Sequence, residues 1–353
     1  MLKQNLRVLV CGPSNISVDN IVERLAPHKI SIVRLGHPAR LLPSVLSHSL
    51  DVLTQTSDAA AIVQDVRKEM DTKQASIRKT KSGRERKAIY GDLKELRKEY
   101  RERERKCIGN LIGGSKVVLS TLHGAGGFQM RDEVFDVVII DEASQALEAQ
   151  CWVPLLGASK VVLAGDHLQL PPTIKSLNSK TTKVKMKDSG DTIKGLTLET
   201  TLFDRLLRLH GPGIKRMLTT QYRMHEKIMR FPSNELYDSK LLAADGVKAR
   251  ILKDLPYEVQ ETEDTTEPLI FFDTQGGDFP EKNEEEVDKK AGNGMMGDSK
   301  SNEMEAALVK QHVRNLVAAG VRPDDIAVIT PYNAQVCVKS FLFRSERSQN
   351  CSA

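Results

Sequence analysis

The sequence predicts an α/β fold built on a largely parallel sheet with helices on both faces, and three observations carry that expectation. First, KVVLST (116–121), DVVIIDE (136–142) and KVVLAGD (160–166) are each nearly all apolar and then turn polar. Continuous rather than alternating hydrophobicity marks strands covered on both sides. Second, strand and helix signals alternate from residue 7 onward, as α/β folds require. Third, the polar residues that end these runs, Ser120, Thr121, Asp141, Glu142 and Asp166, would gather at the carboxyl ends of the strands, where such sheets bind ligands.

The first strand is RVLVCG (7–12), which runs into Pro13, Ser14 and Asn15, residues suited to stop a strand and cap the helix SVDNIVERLA. A second strand, ISIVRLG (30–36), closes on a glycine followed by His37 and Pro38. Between about 56 and 110 the period changes. Ile62, Val66 and Met70 recur at spacings of four, and Ile89, Leu93, Leu96 and Tyr100 at four, three and four. Two narrow apolar stripes on charged helices can bury each other, which predicts an antiparallel helical arm projecting from the sheet domain. Residues 176–195 and 274–301 contain too few apolar residues to offset ordering entropy and read as insertions. A second, shorter α/β unit is expected from the strand PLIFFD near Pro268, a helix around 303–319 and the strand DIAVITPY (325–332), followed by a polar tail.

Composition bounds the function. A chain of 353 residues with 40% hydrophobic and 28% charged residues fits about two soluble domains. It contains no apolar run near the roughly 20 residues of a membrane helix, and no secretory signal opens it. The five cysteines form no CxxC pair, so they are read as reduced thiols in a chain that stays inside the cell. The net charge of +5 is unevenly placed: residues 67–106 hold sixteen Lys or Arg against eight Asp or Glu. Such a block can meet a phosphate backbone or can be only the solvated face of a helix. Arg97, Lys98, Arg101 and Arg105 lie beside the apolar stripe and are the candidates for contact.

Chemistry concentrates in two strings. In DVVIIDEASQ, Asp141 can hold a Mg²⁺ through its water shell while Glu142 orients and deprotonates an attacking water. In AGDHLQLPP (164–172), Asp166 and Gln169 would approach the same metal and terminal phosphate from the neighbouring strand.

These strings resemble motifs II and III of superfamily 1B helicases. CGPSNISVDN (11–20) is similar to motif Ia, STLHGAG (120–126) to motif Ic and LTTQYRMH (218–225) to the segment with an arginine finger, while NEMEA (302–306) and ITPYNAQ (329–335) resemble parts of the second RecA-like lobe. The resemblance is to the branch containing immunoglobulin mu-binding protein 2 and the nonsense-mediated-decay helicase, and the segments HPARLLPSVLSHSLD and EASQALEAQCWVPLL favour the former. The resemblance implies a RecA-like P-loop NTPase lobe (1–55 and 113–265) interrupted by the basic arm (56–112), a partial second RecA-like lobe (266–336) and a divergent tail (337–353). It implies ATP and Mg²⁺ as ligands and hydrolysis coupled to 5′ to 3′ movement on single-stranded DNA or RNA. Tyr222 would stack on adenine, Arg223 would meet the γ-phosphate and Glu305 the ribose, although a helix-face Glu is common. Ser14, Asn15 and Thr121 on the first lobe, and Pro331 and Tyr332 on the second, would hold nucleic acid. Ser14 equally suits a helix cap, and Pro331 the end of a strand.

The departures set further expectations. The family's GxxxxGK[ST] loop does not occur, and in the nearest string, GNGMMGDSKS (292–301), Asp298 stands where the Lys belongs. The DGFQG and TRA segments that follow ITPYNAQ in family members do not occur either. The chain is therefore expected to be a helicase fragment cut at both ends, with a catalytically inactive nucleic-acid-binding isoform or an unstable truncated product as alternatives. A monomer in the cytoplasm or nucleus, without membrane attachment, is the accompanying expectation.

Overall fold

A computed structural model describes residues 1–80, 82–174, 199–283 and 300–336. The chain divides into two compact units, Met1–Lys215 and Arg216–Ala353. That division falls inside the stretch 113–265 assigned from sequence to the first lobe.

Unit 1 is built on five parallel strands: β1 (Val8–Gly12), β2 (Ile32–Arg34), β3 (Val117–Thr121), β4 (Phe135–Ile140) and β5 (Ala158–Leu163). Their spatial order is β2-β3-β1-β4-β5, with Cys11 opposite both Ser120 and Ile140. Each strand's side chains alternate between two cores. Val8 and Val10 join Ile32, Val117 and Leu119 against helix α1 (Asn15–Leu25), while Leu9 and Cys11 join Val33, Val118, Val138 and Ile140 on the other face. Because both faces are packed, both sets must be apolar, which is why the strands read as unbroken hydrophobic runs.

The exception is β5. Val161 and Val162 point to opposite faces of this edge strand and are both exposed, so among the described residues neither face of β5 is fully covered there, whereas β2 at the other edge is buried. The expectation of a strand covered on both sides holds for β1, β3 and most of β4, and fails there.

After α2 (Leu50–Thr56), the arm consists of α3 (Asp58–Lys79) and α4 (Gly83–Gly114). Its second helix is about 48 Å long at the usual rise per residue. The helices run antiparallel: Arg67 donates to the Tyr100 hydroxyl at 3.4 Å, and Lys73 pairs with Asp92 at 2.6 Å. The stripe on α3 is buried Val63 and Val66 with half-buried Met70, rather than the expected Ile62, Val66 and Met70. Ile62 lies 53% exposed. The pair Val63 and Val66 at a spacing of three places the seam one residue over, where it faces Leu93, Leu96, Tyr100 and Cys107 of α4. Helix α5 (Glu148–Leu155) and helix α6 (Leu202–His210) pack on the sheet side that holds Ile140 and Cys151. Burial pushes the Cys11 thiol up to about 12 and that of Cys151 to about 11, so both are inert neutral groups.

Unit 2 contains α7 (Glu226–Leu236), the short α8 (Glu263–Thr266) and α9 (Glu303–Ala318). It also holds a parallel pair, β6 (Thr220–Gln221) with β7 (Leu242–Ala243), and an antiparallel pair, β8 (Lys282–Asn283) with β9 (Lys300–Ser301). The expected helix near 303–319 is present. The expected strands are not: PLIFFD and DIAVITPY run without ladder hydrogen bonds among the described residues. Phe271 and Ile329 consequently stand 86% and 88% exposed. A strand requires a backbone partner as well as apolar side chains, and sequence pattern reports only the second. The expected insertion 176–195, most of the GNGMMGDSKS string and the tail from Cys337 lie outside the described residues.

Candidate active site and nucleic-acid surface

The loops that leave β4 and β5 are fastened to each other at the carboxyl edge of the sheet. The Ala143 N–H donates to the Ala164 carbonyl at 2.8 Å, and the Asp166 N–H donates to the hydroxyl of buried Ser144 at 3.1 Å. Gly165 lies so close that a β-carbon there would sit 3.0 Å from the amide nitrogens of Ala143 and Ser144. A side chain there would push these amides away by a few tenths of an ångström, and glycine avoids that. Asp166 in turn receives the Leu168 N–H at 3.1 Å and the Gln169 side-chain amide at 2.9 Å. Adjacent strand ends thus bring Asp141, Glu142, Asp166 and Gln169 to one edge.

Within this edge, Glu142 adopts a left-handed conformation, φ 51° and ψ 38°, and its carboxylate accepts the Gln145 amide at 3.0 Å. A non-glycine residue in that region costs roughly 1–3 kcal/mol and persists where surrounding structure over-determines it. Here the fastening of Ala143 and Ser144 does so. Asp141 is half-buried, with its N–H donating to the Cys11 carbonyl at 2.8 Å. Burial raises its carboxyl above the usual carboxylate range, opposed by the Glu142 N–H. A carboxylate destabilised in this way is short of positive charge, and a divalent cation at the strand end would supply it.

The residues expected to meet nucleic acid lie at the ends of β1 and β3, which are paired through Gly12 and Thr121. Ser14 caps α1, its hydroxyl accepting the Ser17 N–H at 3.1 Å. The capping role is therefore filled, and the residue stays exposed. Asn15 is held by Arg34, whose Nη2 donates to Asn15 Oδ1 at 3.0 Å. Thr121 accepts the Gly124 N–H at 3.1 Å. On the arm, Arg97, Lys98, Arg101 and Arg105 are exposed, as expected of a polar face.

In unit 2, Gln221 shapes the QYRM turn. Its Oε1 accepts the N–H groups of Arg223 at 2.8 Å and Met224 at 2.7 Å, and this leaves Tyr222 and Arg223 on the surface. Glu305 occupies the first turn of α9, where its N–H donates to the Asn302 cap at 3.0 Å. Buried Gln335 exchanges two hydrogen bonds with the Asn302 backbone, at 2.7 and 2.9 Å, and so ties the segment of Pro331 and Tyr332 to the start of that helix.

Several supporting residues escaped the sequence reading. Arg34 is fully buried and pairs with Asp19 at 2.7 Å, while Asp19 also accepts the Leu42 N–H at 2.9 Å. A charge inside the apolar run ISIVRLG was the available signal. Ser144 and Gln335 had no such mark, since each acts through a backbone group that only the fold brings near.

A parallel sheet whose acidic and acid-amide loops meet at its carboxyl edge is an open α/β sheet with its polar loops where such folds bind ligands, consistent with a RecA-like lobe. Comparison with known proteins agrees. Models of an AAA domain match residues 2–177 and 198–351. The DNA polymerase alpha-associated DNA helicase A of Schizosaccharomyces pombe is 48% identical over 96% of this chain and 47% of its own length. The DNA-binding protein SMUBP-2 of Rattus norvegicus is 46% identical over 95% of the chain and 32% of its own. A regulator of nonsense transcripts 1 homolog from Neurospora crassa is 34% identical over 94% of the chain and 26% of its own. The chain belongs to the superfamily 1B helicases, in the branch of SMUBP-2 and the DNA polymerase alpha-associated helicases. It spans half or less of the length of these relatives. No helix among the described residues is long and apolar enough to cross a membrane.

Proposed function

We propose that this chain supplies hydrolysis loops and a nucleic-acid surface to an ATP-dependent helicase that moves 5′ to 3′ on single-stranded DNA or RNA. The observation that carries the reading is the fastening of the Asp141–Glu142 loop to the Asp166–Gln169 loop at one sheet edge. Bound there, magnesium-complexed ATP would supply the electrophilic γ-phosphate. Asp141 would hold the metal through its waters, and Glu142 would orient the attacking water and take its proton. Asp166 and Gln169 would sense the terminal phosphate, Tyr222 would stack on adenine, Arg223 would balance charge in the transition state and Glu305 would bind the ribose. Ser14, Asn15, Thr121, Pro331, Tyr332 and the arm's basic face would contact the strand. The names of the relatives include a DNA-binding protein, a DNA helicase and a regulator of nonsense transcripts, which is why both nucleic acids are kept. A monomer working in nucleus or cytoplasm accords with this reading.

A second reading, binding without hydrolysis, is favoured for these 353 residues by one observation: the sequence has no GxxxxGK[ST] loop to cradle phosphates. The purified chain is expected to bind single-stranded oligonucleotides with negligible ATP turnover. Turnover in the ordinary range of about 1–10³ s⁻¹, abolished by Glu142→Gln, would show that hydrolysis does not need that loop. In a longer chain that carries the loop, Glu142→Gln should remove hydrolysis and spare nucleotide binding. Hydrolysis that survives the substitution would overturn the role of Glu142.

A further inference from the structure

One aromatic ring in unit 1 has surroundings that neither the fold nor the hydrolysis loops explain. Phe128 lies 63% exposed in the turn after Thr121, and two guanidinium groups approach its ring: Arg105 at 5.6 Å from the centroid and Arg131 at 5.4 Å. Arg105 comes from the arm and Arg131 from the loop before β4, so the ring lies where the arm meets the sheet domain.

The turn that presents the ring is tightly built. The Gly124 N–H donates to Thr121, and the Gly127 N–H donates to the Gly124 carbonyl at 3.0 Å. A β-carbon on Gly126 would lie 2.9 Å from Val153 of α5, and one on Gly127 would lie 3.0 Å from the Gly124 carbonyl oxygen. The backbone that carries the ring is therefore fixed by a packed turn, which lowers the ordering cost of binding. Arg97, Arg101 and Arg105 follow one another at a spacing of four along α4. They form a stripe about 12 Å long that ends at the ring.

We propose that Phe128, flanked by Arg105 and Arg131, is a stacking platform for an unpaired base of a single-stranded nucleic acid whose phosphates follow the arginine stripe. The proposal rests on the nucleic-acid reading above and adds to it the site where a base, rather than the backbone, is held. The chemistry selects this occupant. A flat aromatic face takes any base, and the guanidinium groups that lie over the ring in the free chain swing aside to neutralise the flanking phosphates or stack in their turn. A duplex hides its base faces and could offer only phosphates.

The test measures binding of the full 353-residue chain, by fluorescence anisotropy at low salt, to an oligothymidylate and to an oligomer of equal length with a central abasic stretch. The parent chain is expected to prefer the base-bearing oligomer by about tenfold, the size of one base–aromatic stack. Phe128→Leu keeps an apolar side chain but loses the aromatic face, so it should bind the oligothymidylate about tenfold more weakly and show no preference. Phe128→Trp should retain the preference. Thermal melting of both variants at the parent's temperature establishes that the fold is kept, as expected for an exposed side chain. If the parent binds and Phe128→Leu matches it in affinity and preference, the platform is wrong while the nucleic-acid reading stands. If the parent binds neither oligomer, that reading fails and the platform with it.

Discussion

The sheet and the arm of unit 1 dispose of their polar groups in opposite ways. At the sheet, Arg34, Asp19, Asn15, Ser144 and Asp166 are all engaged with one another or with backbone. On the arm, a stripe of Val63, Val66, Leu93 and Cys107 supplies the packing, and Arg97, Lys98 and Arg101 form no ion pair among the described residues. On the proposed reading the sheet edge would place a carboxylate and a water to within a fraction of an ångström, which needs fixed partners. A region that meets a flexible polyanion does better with solvated, adjustable charge. The same contrast tells where a substitution will damage the fold and where it will alter only binding.

The largest effect is expected at Arg34. Arg34→Met leaves Asp19 as a buried carboxylate without its cation, which should cost about 3–5 kcal/mol in a urea or thermal unfolding measurement. Adding Asp19→Leu should recover much of the loss, because the unpaired charge is gone. A single substitution that leaves stability unchanged would mean that the pair is not enclosed as the structure shows.

In the arm, Leu93→Ala should cost about 2–4 kcal/mol through the cavity it leaves. The loss should be local. Hydrogen exchange is expected to accelerate in Asp58–Lys79 and Gly83–Gly114 while β1, β3 and β4 keep their protection. Equal acceleration in the sheet would show that arm and sheet unfold as one cooperative unit.

The Asp141–Glu142 loop should respond in the other direction. Glu142→Gly releases the left-handed strain and is expected to stabilise the chain by about 1 kcal/mol, or roughly 2–4 °C in melting temperature. Asp141→Asn should also stabilise it at neutral pH. The folded carboxyl has a raised pKa, so its ionised form is the penalised one, and the penalty is fully present above that pKa. It fades as pH falls through the raised value toward the unfolded value of about 4. The melting difference between Asp141→Asn and the parent should therefore shrink on acidification, and a difference constant with pH would assign the gain to another cause.

Much of this was legible in the sequence because it depends on patterns that a single segment carries. Continuous apolar runs marked β1, β3 and β4, the change of period marked the arm, and adjacent carboxylates at a strand end marked Asp141 and Glu142. What escaped depends on a second segment. Val161 and Val162 read as interior, yet both are exposed, because a run of valines does not say which other segments cover the faces of its strand. PLIFFD and DIAVITPY failed as strands for the same reason. The left-handed turn at Glu142 and the close approach of Gly165 arise from contact between two loops, and Phe128 meets Arg105 only because the arm lies against the sheet domain.

The smallest effect on stability, and the sharpest on binding, belongs to the arm's charges. Replacing Arg97, Lys98, Arg101 and Arg105 together by alanine should change stability by less than about 0.5 kcal/mol per site, since alanine is the better helix former and the side chains are exposed. Circular dichroism should show helix content retained. Affinity for single-stranded nucleic acid should nevertheless fall, and the slope of log K against log salt should flatten by roughly 0.7 for each phosphate that is no longer neutralised. Because Arg105 also flanks Phe128, restoring it alone should recover preference for a base-bearing oligomer while leaving most of the salt slope missing. An unchanged slope in the folded quadruple variant would make the stripe a solvated helix face. Binding would then rest on Ser14, Asn15 and Thr121 at the strand ends, and the contrast between the fixed sheet and the adjustable arm would lose its functional meaning.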